Sequence, residues 1–247
     1  MRKKVSLLLF ALVVLTAVSM PCFAQERNLR TVLFIKLKLD QQDNWRAAVK
    51  DLVALHQKAG GDHPFTIWES QTGPTEFAVV WYNAKWKEVG EDDPKLKSSA
   101  ADLASIFSRL NGQTESLSMW IDEMQPDMTM PSKDIPVMVR TGRTRVMPGK
   151  MDDLKALFRE QIVPALKKSG VTSYGMAVAR FGTPANEVHT YLGMSGWGDL
   201  DSPFGVEKGM SPSEYKAFLA KVQTLVESTE WTIWKYQPDL SYIPAGK

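Results

Sequence analysis

Two stretches decide the reading of this chain: Trp120-Ile121-Asp122-Glu123-Met124-Gln125-Pro126-Asp127-Met128 and Trp234-Lys235-Tyr236-Gln237-Pro238-Asp239-Leu240. Each is a β-rich run that ends in Gln-Pro-Asp, and 112 residues separate Gln125 from Gln237. A long-period repeat of this kind marks a structural unit written twice. The elements upstream of each Gln-Pro-Asp follow the same order.

In the first unit, residues 31–39 alternate as a half-buried strand does. Residues 44–59 follow, with Trp45, Val49, Leu52 and Leu55 near helical spacing and Gly60-Gly61 as the stop. Strands are expected over 65–69 and 76–82, a helix over 95–110 ending at Asn111-Gly112, and a strand over 115–123. The second unit repeats this: strand 137–147, helix 150–168 kinked at Pro164, strands 173–180 and 187–195, helix 213–227 behind Ser211-Pro212, and strand 229–236. Each half therefore reads β-α-β-β-α-β, the ferredoxin-like arrangement. One such unit covers only one face of its sheet. Two units in one chain solve this by packing sheet to sheet, which gives an α+β intramolecular pseudodimeric α/β barrel with the helices outside. The units are residues 25–130 and 131–247, and residues 124–136 connect them. The mature chain is then a monomeric pseudodimer, with any higher oligomer left open.

The order of elements, Met147-Pro148-Gly149-Lys150 between the first strand and first helix of the second unit, and the aromatic third strand resemble the dimeric α/β-barrel superfamily. Antibiotic-biosynthesis-monooxygenase-like domains belong to it. The resemblance covers nearly the whole mature chain, as a tandem fusion. The superfamily hosts monooxygenases, haem-degrading enzymes, chlorite-dismutase-like haem proteins, isomerases and proteins without known activity. Fold alone therefore does not select among these functions.

The first residues read as a signal for export. Arg2, Lys3 and Lys4 precede an uncharged run over 5–20, Pro21 breaks it, and Cys22-Phe23-Ala24 offers small residues for cleavage after Ala24. A periplasmic or secreted protein is expected, with no membrane attachment once the signal is cut. The lone Cys leaves with the signal, so the mature chain has no thiol, which suits an oxidising compartment. Of 30 basic residues 27 remain against 28 acidic ones, a near-neutral balance that gives no footprint for nucleic acid.

Strand alternation sorts the faces. Leu33, Ile35, Leu37 and Leu39 suit the helices, leaving Phe34, Lys36 and Lys38 inward. Arg143 and Arg145 match Phe34 and Lys36 in the repeat, and His189 and Tyr191 share the inward face of their strand. Trp120, Asp122, Trp234 and Tyr236 also point between the sheets. Lys36, Trp120, Asp122, Arg143, Arg145, Trp234 and Tyr236 are thus the candidate substrate contacts for an aromatic or anionic small molecule. His189 and Tyr191 are the candidate catalytic pair, with the imidazole as general base. The same residues also suit an inter-sheet core whose polar groups pair internally, Asp122 with Arg143 for example. That alternative corresponds to a non-catalytic ligand-binding or interaction module of the cell envelope.

His56 and His63 read as solvated. Three His without metal-ligand spacing give no metal site, and neither phosphate loop nor nucleophile elbow is present, so no cofactor is expected. The resemblance extends to chlorite-dismutase-like and haem-degrading proteins, the latter with an axial His on a helix; the helices expected over 95–110, 150–168 and 213–227 hold no His, so a haem here would need His189, Tyr191 or a Met as axial ligand. The Trp-rich stretch 81–87 reads as a lid or a partner surface, and the long loop 196–209 as a cap on the pocket of the second unit or an insertion that covers the sheet edge.

Overall fold

The computed structural model describes residues 28–132 and 134–244. The expected signal segment lies outside the described residues. The first half contains β1 (Leu29–Leu37), α1 (Gln42–Ala59), β2 (Thr66–Ser70), β3 (Glu76–Asn83), α2 (Ala100–Gln113) and β4 (Thr114–Met124). The second contains β5 (Met138–Val146), α3 (Met151–Leu157), α4 (Val163–Lys168), β6 (Tyr174–Phe181), β7 (Glu187–Met194), α5 (Pro212–Gln223) and β8 (Val226–Tyr236). No described helix is long and apolar enough to cross a membrane.

The strands close into one antiparallel barrel in the order β1-β3-β2-β8-β5-β7-β6-β4. Within each half the order is the ferredoxin-like one. The two sheets face each other as expected, and their edges also hydrogen-bond, at β2–β8 (Trp68↔Tyr236) and at β4–β6 (Asp122↔Ala179). Closure removes every free sheet edge.

Alternation places side chains as expected. Ile35, Trp45, Val49 and Phe77 form a core between sheet and helix in the first half, while Val32, Ala78 and Trp234 gather inside the barrel with Phe34 and Trp120. Gly60 ends α1 in the left-handed region, φ 64°. Asn111-Gly112 does not end α2, which continues to Gln113 and passes directly into β4, because a glycine permits a left-handed stop without requiring one. The helix expected over 150–168 runs from Met151 to Lys168, with its irregularity just ahead of Pro164. A wide π turn over Phe158–Ile162 separates α3 from α4 and accommodates the proline ring and its missing N–H. The last helix stops at Gln223, short of residue 227, because Val226 and Ser228 are already paired to Val146 and Arg145 of β5.

The repeated Gln-Pro-Asp explains how the halves interlock. After β4, residues Pro126–Met128 form a 3₁₀ turn, and Pro238–Leu240 do the same after β8. Each turn leaves its own half. Met128, fully buried, packs with Leu154, Leu157, Phe158 and Leu166 of the second half. Leu240, fully buried, packs with Trp45, Val49 and Phe77 of the first. The aspartates follow the same exchange: Asp127 accepts from Arg159 Nε at 2.5 Å and Asp239 pairs with Lys50 at 3.0 Å. The backbone repeats it again, with Gln125 N donating to Met176 O and Gln237 N to Ile67 O.

Because each core contains a side chain from the other half, Leu240→Ala should weaken both halves together. Removing a fully buried Leu costs about 2–5 kcal/mol. Denaturant unfolding followed by tryptophan fluorescence and by circular dichroism should give one shared transition at lower denaturant. Two separated transitions would contradict the interlock.

Candidate functional site

The barrel encloses a cavity of about 460 Å³. Phe34, Trp68, Trp120 and Trp234 give it aromatic walls, and Arg143, His189, Tyr191 and Glu230 are among its polar lining groups. Phe34 bridges the walls, its ring centroid 4.3 Å from that of Trp120 and 5.7 Å from that of Trp234. Trp234 is fixed by an N–H donated to Thr141 Oγ1 at 3.0 Å. Size and lining are those of a small-molecule site.

Beside the cavity lies a buried network spanning both halves. Asp122 on β4 is wholly shielded from solvent. Its Oδ1 accepts from Arg30 Nε at 3.1 Å. Its Oδ2 accepts from Arg30 Nη2, from His189 Nδ1 at 2.9 Å and from the Tyr191 hydroxyl at 3.0 Å. A carboxylate only accepts, so His189 carries its proton on Nδ1. The Arg30 guanidinium also lies 3.5 Å from the Tyr191 ring centroid, a cation–π contact. His189 stacks on Trp120 at 4.4 Å between centroids. Its Nε2 has no hydrogen-bond partner and lies 3.6 Å from the buried Glu187 carboxylate. Glu187 is held in turn by Arg143 at 3.1 Å and Arg145 at 3.5 Å.

The structure thus brings His189, Tyr191, Trp120, Arg143 and Trp234 to the cavity. Four of the expected contacts are not in its lining. Asp122 lies behind it with its oxygens occupied, and its cationic partner is Arg30, not Arg143, which is engaged by Glu187. Lys36 is at the exposed rim, paired with Glu115 at 2.7 Å, a hydrogen bond that raises its ammonium above the usual lysine range. Arg145 is turned to Glu187. Tyr236 sits beyond Trp234, against Trp68 at 5.2 Å.

Three further expectations change. His56 is buried, its Nδ1 against Leu52 O at 2.9 Å and its ring against Phe65 and Tyr242. The loop over 196–209 does not line the cavity: Phe204 packs outside the barrel beside Arg140 and with the Met138, Met194 and Ile233 cluster. Nor is Trp86 a lid, since it meets Phe181 edge-on at 5.4 Å in a separate outer hollow.

Arg30 and Glu187 escaped the sequence reading. Arg30 shares the parity of Val32 and Phe34, a signal available once the strand is extended back past Thr31. Among the described residues, no group of three or more His, Cys, Asp or Glu is placed to hold a metal ion. A haem finds no free ligand in Tyr191, whose hydroxyl is spent on Asp122, and could be held only through His189 Nε2, which is buried beneath Trp120 and 3.6 Å from the Glu187 carboxylate.

No protein-family model matches the chain, and no curated protein matches it in sequence. Solved structures do match. A "putative monooxygenase" from Fusobacterium nucleatum aligns at TM-score 0.63 with 11% identity, over 85% of this chain and 92% of that one. A protein described in the same words from Lactobacillus acidophilus aligns at TM-score 0.62 with 9% identity, over 89% and 97%. At such identities the likeness is one of fold, and it agrees with the dimeric α/β-barrel arrangement built above.

The network makes a graded stability prediction. Asp122→Ala strands a buried guanidinium and should cost about 3–5 kcal/mol. Tyr191→Phe removes one hydroxyl donor to the carboxylate and should cost less, about 1.5–3 kcal/mol. Denaturation midpoints of the two variants check the order, and equal costs would contradict the central place given to Asp122.

Proposed function

We propose that the protein is an exported monooxygenase-like enzyme that binds one planar aromatic molecule inside its barrel and oxidises it with the substrate as electron source. The observation that carries this reading is the aromatic-walled cavity whose lining includes His189, with Nδ1–H held by Asp122 and Nε2 unpartnered. An oriented imidazole of this kind suits proton abstraction. A phenol that gives its proton to His189 becomes electron-rich enough to reduce dioxygen. One oxygen atom enters the ring carbon para to the hydroxyl and the other leaves as water, so phenol and O₂ give quinone and water. The four electrons come from the substrate. The neighbouring folds described as monooxygenases agree with this reading without testing it. The signal-like residues 1–24 support export.

A specific observation favours a second reading, that of a binding module without turnover: the His189 side chain is 1% exposed beneath Trp120. Proton transfer then requires the ligand to displace or slide along that indole.

Both readings meet the same experiment. Mature protein is incubated with polycyclic phenols that carry hydrogen para to the hydroxyl while oxygen uptake, quinone formation and melting temperature are followed. The enzyme reading expects one O₂ consumed per quinone, with His189→Gln slowing turnover about 100-fold or more. Ligand at a hundred times its Kd should add about 2.7 kcal/mol of stability under either reading. Stabilisation without oxygen uptake supports the binding module, and unchanged turnover in His189→Gln removes the imidazole from the mechanism.

A further inference from the structure

Three buried nitrogen atoms around the cavity have no hydrogen-bond partner: Trp120 Nε1, Arg143 Nε and His189 Nε2. All three residues line the cavity. They also lie in one corner of it. Arg143 and His189 face each other across β5 and β7. The Trp120 ring centroid is 4.4 Å from that of His189 and 5.3 Å from the Arg143 guanidinium carbon. Buried polar atoms are rarely left unpaired, and each costs stability unless something satisfies it. Three together beside a cavity require a common explanation.

Their chemistry is complementary. Trp120 Nε1–H and Arg143 Nε–H can only donate. His189 holds its proton on Nδ1 for Asp122, and in the neutral imidazole Nε2 offers a lone pair. A group that satisfies all three must accept two hydrogen bonds and donate one. A hydroxyl does this. A carboxylate would answer both donors but set its charge against the Nε2 lone pair. An ammonium would face two donors with nothing to accept them.

We infer that Trp120, Arg143 and His189 form a hydroxyl-recognition subsite, with the two donors serving as an oxyanion cradle and Nε2 as the proton acceptor. This rests on the reading of the cavity as the binding site and assigns the atoms that act there. When the O–H bond breaks, the proton goes to Nε2 and the electron pair stays on the ligand oxygen. The imidazolium then lies between the Asp122 and Glu187 carboxylates, while Arg143 and Trp120 hold the new oxyanion. Glu187, which touches both His189 and Arg143, acts as a positioning residue.

The test compares 2-naphthol with 2-methylnaphthalene, which has the same shape but no hydroxyl. Wild-type mature protein should bind 2-naphthol about tenfold more tightly by calorimetric titration. Trp120→Phe keeps an aromatic ring and removes the N–H, and Arg143→Lys keeps the charge and removes Nε. Each variant should shrink that preference several-fold, with the affinity for 2-methylnaphthalene much less changed. Bound 2-naphthol should show the naphtholate absorption band at a pH where free 2-naphthol does not, and His189→Gln should abolish the band. Equal binding of the two probes, or an undiminished preference in Trp120→Phe, overturns the subsite and leaves the cavity reading intact. Failure of both probes to bind overturns the cavity reading, and the subsite with it.

Discussion

A carboxylate removed entirely from water must find its partners within the protein, and Asp122 finds them in both halves of the chain. Arg30 reaches it from the neighbouring strand of its own half, while His189 and Tyr191 come from β7, across the β4–β6 junction. An ion pair this deep is not a large source of net stability. What it supplies is a single arrangement: any slip of β4 against β6 would strip Asp122 of its hydrogen bonds from His189 and Tyr191. It also sets the imidazole tautomer and turns the Tyr191 ring under the Arg30 guanidinium. The polar chemistry of the cavity depends on this one group.

The pseudo-twofold shows why a tandem chain matters. Arg30 stands opposite Asp122 in the first half, and the equivalent pair in the second is Val139 opposite Trp234. The counterparts of His189 and Tyr191 are Ala78 and Val80. One side of the barrel is therefore ionised and hydrogen-bonded, while its symmetry mate is the apolar cluster around Trp234. A homodimer of identical units would carry both networks or neither. Joining the units in one chain lets them diverge, which leaves one polar wall, one aromatic wall and an orientation for whatever lies between. The exchanged turns at Met128 and Leu240 hold the two walls in register, because neither core is complete without the other half.

Much of this architecture was legible in the sequence. The repeated Gln-Pro-Asp identified the units, and period-two alternation correctly sent Phe34, Trp120, Arg143, His189, Tyr191 and Trp234 inward. Alternation assigns a face, but it does not say how far along the barrel a residue lies. Lys36 shares the inward parity yet ends at the rim with Glu115, and Tyr236 lies past the cavity beside Trp68. Pairing across the closing edges carries no periodic signal either, so Asp122 was matched with Arg143 when its partner is Arg30. Helix ends failed where strand pairing took precedence, as at Val226, and where a glycine allowed a stop that the chain did not use, as at Gly112.

The central claim is that the two halves build one oriented site inside the barrel. A crystal structure of the mature protein soaked with 2-naphthol tests it most directly. The account predicts one molecule per chain within the barrel, its rings against Phe34, Trp68 and Trp234 and its oxygen within hydrogen-bond distance of Trp120 Nε1, Arg143 Nε and His189 Nε2. Density outside the barrel, or two molecules related by the pseudo-twofold, would contradict it.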